Sequence, residues 1–573
     1  MYIPKMSINA SYTKNHNASE FRNENKDSLI KEGDVTLFVG TAKISSDSNV
    51  NDEDQHQQDK PSSVGGKLAW GGGGFYNPKM GLYRDIVMLI VMINTKRKSV
   101  DDSVKSSQDS QFRFLDAFSG CGALALRVAK VLEHVITEGD GNIEASVIAN
   151  DASRKCRKLI RNNAKINSIT LKDKGDCRRS KCAKDAENAS IDTCSRTVTI
   201  DVTGKDVNQL LYEVANGGND VVDDSENSDE SEEGSVILKS NIPSQNQFEP
   251  FHHIHLDPFG CTVPYLDSAI RALKMKTGIL TLTATDTGAL FDRRYADVAK
   301  RHYNLVNLDK DRGICFREVG LRMIIASVAQ AANRQDKGIE VLMSFSAEHF
   351  LFVCVRIRWD TKNSTNECLR MTTIPKSLPK KIILTGDVSL KPEGPLWMGR
   401  LGDKEFVDSM IEVFGSLSRH KSIFATSQKQ IKKLLETLHY EYDFVEAAPW
   451  FYSLTRTASL LQLGNIPSTK DIIRELNGKM FRVDHQNTKK DITNPVVVVD
   501  DFEVELIQDK KHLPSNIYIC RASPTHFEPQ SIKIETLRLN KELHEIDGNN
   551  LVEANEVNEF MLRHVIEKLK KDQ

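Results

Sequence analysis

FRFLDAFSGCGALALR, residues Phe112–Arg127, is the stretch whose reading decides the fold of this chain. It reads as a buried β-strand stopping at Asp116, a turn through Ser119, Gly120 and Gly122, and an apolar helix. Gly120 and Gly122 lack Cβ, so the backbone there can bend tightly and approach a ligand. The opening helix adds unpaired N–H groups suited to polar or anionic atoms. The pattern is only D-x-F-S-G-x-G, short of the three-glycine dinucleotide fingerprint. An ordinary strand–turn–helix connection would look the same, so the flanking sequence has to decide.

Downstream, strand and helix signals alternate. ASVIAND (145–151) is a second strand ending in an acid, followed by a helix over Arg154–Asn167 with Leu159, Ile160 and Ile166 inward and Lys and Arg outward. Those outward residues (Arg154, Lys155, Arg157, Lys158, Arg161) suit either a phosphate surface or a solvated helix face. TVTID (197–201) is a third strand, Phe251–Asp257 a fourth and Gly278–Thr285 a fifth, with crossover helices over 263–274 and 292–302. Repeated strand–helix units predict an α/β fold, a parallel sheet covered by helices on both faces. Ligands in such sheets bind beyond the carboxyl ends of the strands. Asp116, Asp151, Asp201 and Asp257 all fall at those ends in this reading. An amphipathic helix over Glu318–Asn333 and an antiparallel pair, Val341–Ser346 and Phe350–Arg358, close the sheet.

Upstream, DVTLFV (34–39) alternates as a short strand, and FYNPKMGLYRD (75–85) leads into an apolar helix over Ile86–Ile93. Asn77-Pro78 marks the turn that starts it. Arg84 then sits at the start of that helix, where composition alone would make it a surface arginine. Beyond Trp359 the alternation stops, which places a domain boundary near 370. In the later part, Phe451–Phe481 suggests two helices about the turn Gly464–Pro467, and Asp484–Leu513 a long polar loop.

The 573 residues supply enough chain for two or more cores. No apolar stretch nears the roughly twenty residues that span a bilayer, so no membrane segment is expected. Ten cysteines without regular pairing distances suggest a reducing compartment. The net charge of −2 is distorted by Asp220–Glu233, which carries eight acidic residues and no basic one, leaving +6 for the rest. Such a block reads as a solvated insert, and the folded part is then mildly basic, which permits RNA binding without requiring it.

The strand-end acids suggest chemistry. An ionised Asp after the second strand can accept both hydroxyls of a ribose, which is the place of Asp151. Asp201, with the backbone of Val202, suits an adenine amino group. At Asp257-Pro258-Phe259-Gly260 the proline fixes one φ angle and so holds the carboxylate at a rigid corner. Phe259 offers a face for stacking a base. A carboxylate beside a stacking ring suits an exocyclic amine. A plain turn with a core phenylalanine is the competing reading of four residues alone.

Taken in order, FYNPKMGLYRD, FLDAFSGCGALALR, VIANDASRKCRKLIRNNAKIN, HLDPFGCTVPYLDSAIRALK, LTATDTGALF and EVGLRMIIASVAQAANRQDKGIEVL resemble the motifs of the tRNA (guanine-N2)-dimethyltransferase family. The resemblance runs from about 33 to 358 and continues weakly through GPLW (394–397) and PTHFEP (524–529). It implies a Rossmann-like class I methyltransferase domain with a smaller α+β C-terminal domain that helps hold tRNA. It also implies S-adenosyl-L-methionine as methyl donor and guanosine 26 as target. By motif position the donor contacts are Arg84, Arg113, Asp151, Asp201 and Val202, joined by Asp116, Gly120 and Gly122 of the glycine turn; Asp257 and Phe259 are the catalytic pair.

The expected layout is a disordered segment over 1–30, a methyltransferase domain over 31–370 with inserts near 41–68, 171–195 and 215–245, and a C-terminal domain over 371–573. Many relatives carry two C-x-x-C pairs before GPLW. Here that interval holds only Cys354 and Cys368, and Cys177, Cys182 and Cys194 lie in a basic insert, so no metal is expected. Other readings are the same chemistry at a neighbouring guanosine such as 27, an amino-group methyltransferase with another substrate, or a non-catalytic tRNA-binding or folding protein. The nucleus is the expected compartment, with the mitochondrion or cytoplasm as alternatives.

Overall fold

The computed structural model describes residues 29–39, 69–71, 74–101, 111–138, 144–172, 198–216, 249–291, 293–306, 315–360, 363–372, 393–417 and 423–442, and parts of 450–569. The N-terminal segment to 28, the acidic run, the basic insert with Cys177, Cys182 and Cys194, and most of the expected helix pair about Gly464–Pro467 lie outside the described residues.

The chain forms two compact units, Met1–His255 with Val413–Ile431, and Leu256–Glu412 with Lys432–Gln573. In the first, β1 (Leu29–Glu32) and β2 (Val35–Phe38) make a hairpin, and β3 (Ala69–Gly71) and β4 (Gly74–Tyr76) make another. Helix α1 (Gly81–Asp101) follows. Then come β5 (Gln111–Asp116), α2 (Ala123–Glu138), β6 (Glu144–Asn150), α3 (Arg154–Ile166), β7 (Thr170–Leu171), β8 (Val198–Thr203), α4 (Val207–Ala215) and β9 (His253–Leu256). Strand β5 pairs in parallel with β6 and β9, and β8 with β6 and β7. All but the first residues of β5 and β6 are buried, as expected of parallel strands covered on both faces.

In the second unit, α5 (Leu266–Ala272), β10 (Ile279–Ala284), α6 (Thr287–Phe291), α7 (Ala296–His302) and α8 (Phe316–Asn333) lead to β11 (Lys337–Ala347) and β12 (Phe350–Trp359). Strand β12 pairs antiparallel with both β10 and β11. The sheet order is β11-β12-β10-β9-β5-β6-β8-β7, a mostly parallel eight-stranded sheet. After α9 (Ser364–Glu367), β13 (Leu369–Thr372) and β14 (Glu393–Trp397) pair antiparallel. Helices α10 (Lys404–Leu417) and α11 (Gln428–Tyr442) follow. A five-stranded sheet then forms from β15 (Tyr452–Ser453), β16 (Lys479–Asp484), β17 (Val496–Asp501), β18 (Asn516–Ala522) and β19 (Ser531–Arg538).

The structure corrects four expectations. Ile166, expected inward on α3, is 44% exposed. Asp201 is not the last residue of its strand: β8 continues to Thr203, because Val202 and Thr203 keep pairing with Ala149 and Asn150. Residues 479–484 form a strand where a helix was expected to end. The loop expected over 484–513 contains β17, whose four valines (496–499) favour extended backbone over the polar average around them. No helix among the described residues is long and apolar enough to cross a membrane.

Candidate functional site

The turn after β5 is built by its own backbone. Ser119 donates its N–H to the Asn150 carbonyl at 2.9 Å and its hydroxyl to the Asp116 carbonyl at 2.9 Å. Gly122 donates to the Ser119 carbonyl at 2.7 Å, and Leu126 to the Gly122 carbonyl at 2.9 Å, which opens α2. Gly120 and Gly122 have φ of +54° and +86°, a region that favours glycine. A Cβ on Gly122 would also meet Ile160 at 3.2 Å. Asn150, which sequence reasoning missed, donates from its side chain to the carbonyls of Ala117 (3.2 Å) and Lys205 (3.1 Å), locking two strand-end loops together.

Asp151, half-buried just past β6, accepts from the Gly120 N–H at 2.8 Å through one oxygen and from the Ser153 N–H at 2.8 Å through the other. An ionised carboxylate has about four acceptor sites, so the group is oriented and keeps capacity for ribose hydroxyls. Asp201 is half-buried on β8 and Val202 is buried beside it. Helix α3 holds the backbone beside both acids. Arg157 donates to the carbonyls of Asp151 (3.0 Å) and Ala152 (2.8 Å), and Arg161 to that of Val202 at 3.3 Å. Two of the five outward basic residues, the half-buried Arg157 and the exposed Arg161, therefore bond to backbone of the fold, while Arg154, Lys155 and Lys158 are exposed without such a role here.

Both expected donor-side arginines are buried. Arg113, 4% exposed, donates to the Glu249 carbonyl and lies over the Phe251 ring at 4.9 Å. Burial pulls its pKa down to about 10, against the opposing pull of Glu249 and Asp201, and it stays a cation at neutral pH. Arg84, 5% exposed, is no surface residue. It donates to both Glu32 oxygens (2.6 and 2.9 Å) and to the Asn77 carbonyl (3.1 Å), with the Tyr76 and Tyr83 rings each 5.4 Å away.

Glu32 also takes Arg127 at 3.0 Å, and Arg127 in turn pairs with Asp85 and donates to the Ile423 carbonyl at 3.0 Å. Asp85 accepts from the N–H groups of Ala425 (3.0 Å) and Thr426 (2.8 Å). Two acids and two arginines thus form a neutral buried cluster. Burial works against the Glu32 carboxylate, and the two guanidinium groups outweigh it, holding its pKa below the usual range.

The Asp257 corner belongs to the second unit. Asp257 follows β9 directly and is half-buried, Pro258 is buried, and Phe259 is 77% exposed. The plain-turn reading required a core phenylalanine, and this ring is instead presented at the surface. Gly260 has φ of +102°, with nothing within 4 Å of where a Cβ would stand. Cys354 is buried on β12 and Cys368 follows α9. Among the described residues one cluster, Cys261, Asp286 and His302, brings metal-ligating types together.

A mostly parallel sheet with a glycine turn after its first central strand, an acid after the second and an acidic corner after the fourth defines a Rossmann-like methyltransferase of class I. The sequence profile of the N2,N2-dimethylguanosine tRNA methyltransferase family matches residues 67–202 and 197–494, most of the chain, and the protein belongs to that family. The tRNA (guanine(26)-N(2))-dimethyltransferase of Pyrococcus abyssi is 27% identical over 412 residues, 71% of this chain and 86% of that protein. The tRNA (guanine(27)-N(2))-dimethyltransferase of Rattus norvegicus is 29% identical over 292 residues, 49% of this chain and 30% of that protein. The chain therefore spans under a third of the length of this mammalian relative. In fold it is similar to Trm1 from Pyrococcus horikoshii, solved in complex with S-adenosyl-L-methionine, with a TM-score of 0.51 at 21% identity over 92% of this chain and 98% of that one.

Proposed function

We propose that this protein methylates the exocyclic N2 of a guanosine in tRNA, guanosine 26, to N2,N2-dimethylguanosine. Bound S-adenosyl-L-methionine supplies an electrophilic sulfonium methyl. On the donor side, Asp151 accepts ribose hydroxyls, Asp201 and the Val202 backbone meet the adenine, and Asp116 and the Gly120–Gly122 turn line the site. Arg84 and Arg113 are the basic members of this set.

Guanine N2 is a poor nucleophile because its lone pair is delocalised into the ring. Asp257 would accept a hydrogen bond from N2–H, orient the nitrogen lone pair toward the bound donor's methyl and take up the proton that N2 releases on transfer. A base inside a stem has to leave its stack to reach any such group, and Phe259 offsets the lost stacking. The second methyl repeats the step on the monomethylated base. The C-terminal part assists in holding the tRNA.

The observation that carries this reading is a carboxylate and a 77% exposed phenylalanine on either side of a proline, in a chain of this family. The neighbouring guanosine 27 is the second reading, favoured by the mammalian relatives. Incubating the purified chain with labelled donor and unmodified tRNA, then mapping the modified nucleoside, tests both. Label in dimethylguanosine at 26 is the expected result. Label at 27 keeps the chemistry and moves the target. Donor binding without label on any tRNA would refute the reading.

A further inference from the structure

Strand β10 stops at Ala284, and the next two residues reach the loop that follows Asp257. The Thr285 hydroxyl accepts the Gly260 N–H at 3.0 Å, and the Gly260 carbonyl accepts the Thr285 N–H at 3.4 Å. Both oxygens of the half-buried Asp286 accept from the hydroxyl of Tyr303, at 2.8 and 2.7 Å. Tyr303 follows α7 and is fully buried. The thiol of Cys261, next after Gly260, shares hydrogen bonds with the same two groups. Two consecutive residues of the loop are thus held by two consecutive residues past β10.

We infer that Thr285, Asp286 and Tyr303 are positioning residues that set the aim of Asp257 and Phe259. The inference rests on the function proposed above. Pro258 limits rotation on one side of the corner. On the other, Gly260 has φ of +102° and open space where a side chain would be, so no side chain of its own fixes its backbone. The ties to Thr285 and Asp286 supply that restraint. Displacing a reacting group by about 1 Å can cost on the order of a hundredfold in rate.

The Cys261, Asp286 and His302 ligand atoms lie within 4.8 Å of one another, so a metal ion is the competing account of the same cluster. The hydrogen-bonded account fits better. Tyr303 already donates to both carboxylate oxygens of Asp286, and His302 is exposed.

Three variants of the full chain test the inference. Thr285→Val keeps the shape and removes the acceptor, Thr285→Ser keeps the hydroxyl, and Tyr303→Phe removes one donor from a ring that stays in place. Melting temperature, donor affinity and single-turnover methylation are measured on each. Thr285→Val and Tyr303→Phe are expected to lose roughly tenfold to a hundredfold in rate, with donor affinity and the KM for tRNA within about twofold. Thr285→Ser should stay near wild type. Deuterium exchange of the peptide spanning 257–262 should accelerate in the first two variants whatever the substrate.

Unchanged exchange, or unchanged rates at equal melting temperature, would overturn the inference. So would a wild-type rate lost to chelator and restored by zinc, which would make the tie a metal clamp. A wild-type chain that transfers no methyl to tRNA counts against the proposed function alone, and the exchange experiment still decides the clamp.

Discussion

The glycine-turn unit and the Asp257 corner solve opposite problems. Around α1 and α2 the chain buries four charges, Glu32, Arg84, Asp85 and Arg127, none more than 5% exposed, and pairs each of them with another. Around Asp257 it does the reverse, presenting an aromatic ring at 77% exposure beside a glycine with empty space where a side chain would be. A donor of fixed shape can be met by a frame locked in advance. A base arriving from a stacked stem needs an open face, and the restraint must then come from behind, from Thr285 and Asp286. Burial marks scaffold in the first region, and the proposed function draws on exposure in the second.

Substitutions in the two regions should therefore separate stability from rate. The largest stability effect is expected from Arg127→Met, which leaves Glu32 and Asp85 short of a buried partner. Breaking a buried pair in this way costs about 3–5 kcal/mol, and urea unfolding would read it as a sharply lower midpoint. Gly122→Ala comes next. A non-glycine residue at φ +86°, pressed to 3.2 Å from Ile160, should cost about 1–3 kcal/mol and weaken donor binding, read by melting temperature and calorimetry.

Acid exposes a third, graded difference. His253 and His255 are buried and neutral, and burial lowers both, His253 to about 3. The unfolded chain protonates these imidazoles below about pH 6.5 and the folded chain does not, so stability present above that pH is lost as pH falls toward 3. Glu32, held below its usual 4.5, adds a loss of the same sign further down. Unfolding midpoints measured from neutral pH to about pH 4 should decline steadily. The smallest stability change belongs to Phe259→Ala, expected within about 0.5 kcal/mol. Its cost appears instead in tRNA methylation, where lost stacking of about 1–3 kcal/mol should lower kcat/KM by roughly fivefold to 150-fold. A variant that unfolds without losing specific activity would blur the comparison.

Much of this was legible in the sequence because it is local. The strand–glycine–helix signal at 112–127, the acids past β6 and β9, and the alternation through β10 depend on near neighbours and appear where expected. The buried cluster was not legible, since Glu32 and Arg84 lie 52 residues apart and Asp85 and Thr426 lie 341 apart. No periodicity links such positions, which is why Arg84 looked like a surface residue by composition. Asp286 could have been found. It follows β10 almost as Asp257 follows β9, and the series of strand-end acids simply runs one strand further. Tyr303 and Cys261 carry no such signal, because their meeting depends on how α7 returns to the sheet end.

In the proposed function Asp257 handles the proton of the accepting amine, and other residues hold the donor. Single-turnover methylation of tRNA by Asp257→Ala, with donor affinity measured on the same preparation, tests it most directly. The rate should fall by about a hundredfold or more while donor affinity and melting temperature stay at wild-type values. A rate that persists, or that falls only in step with donor affinity, would contradict the account.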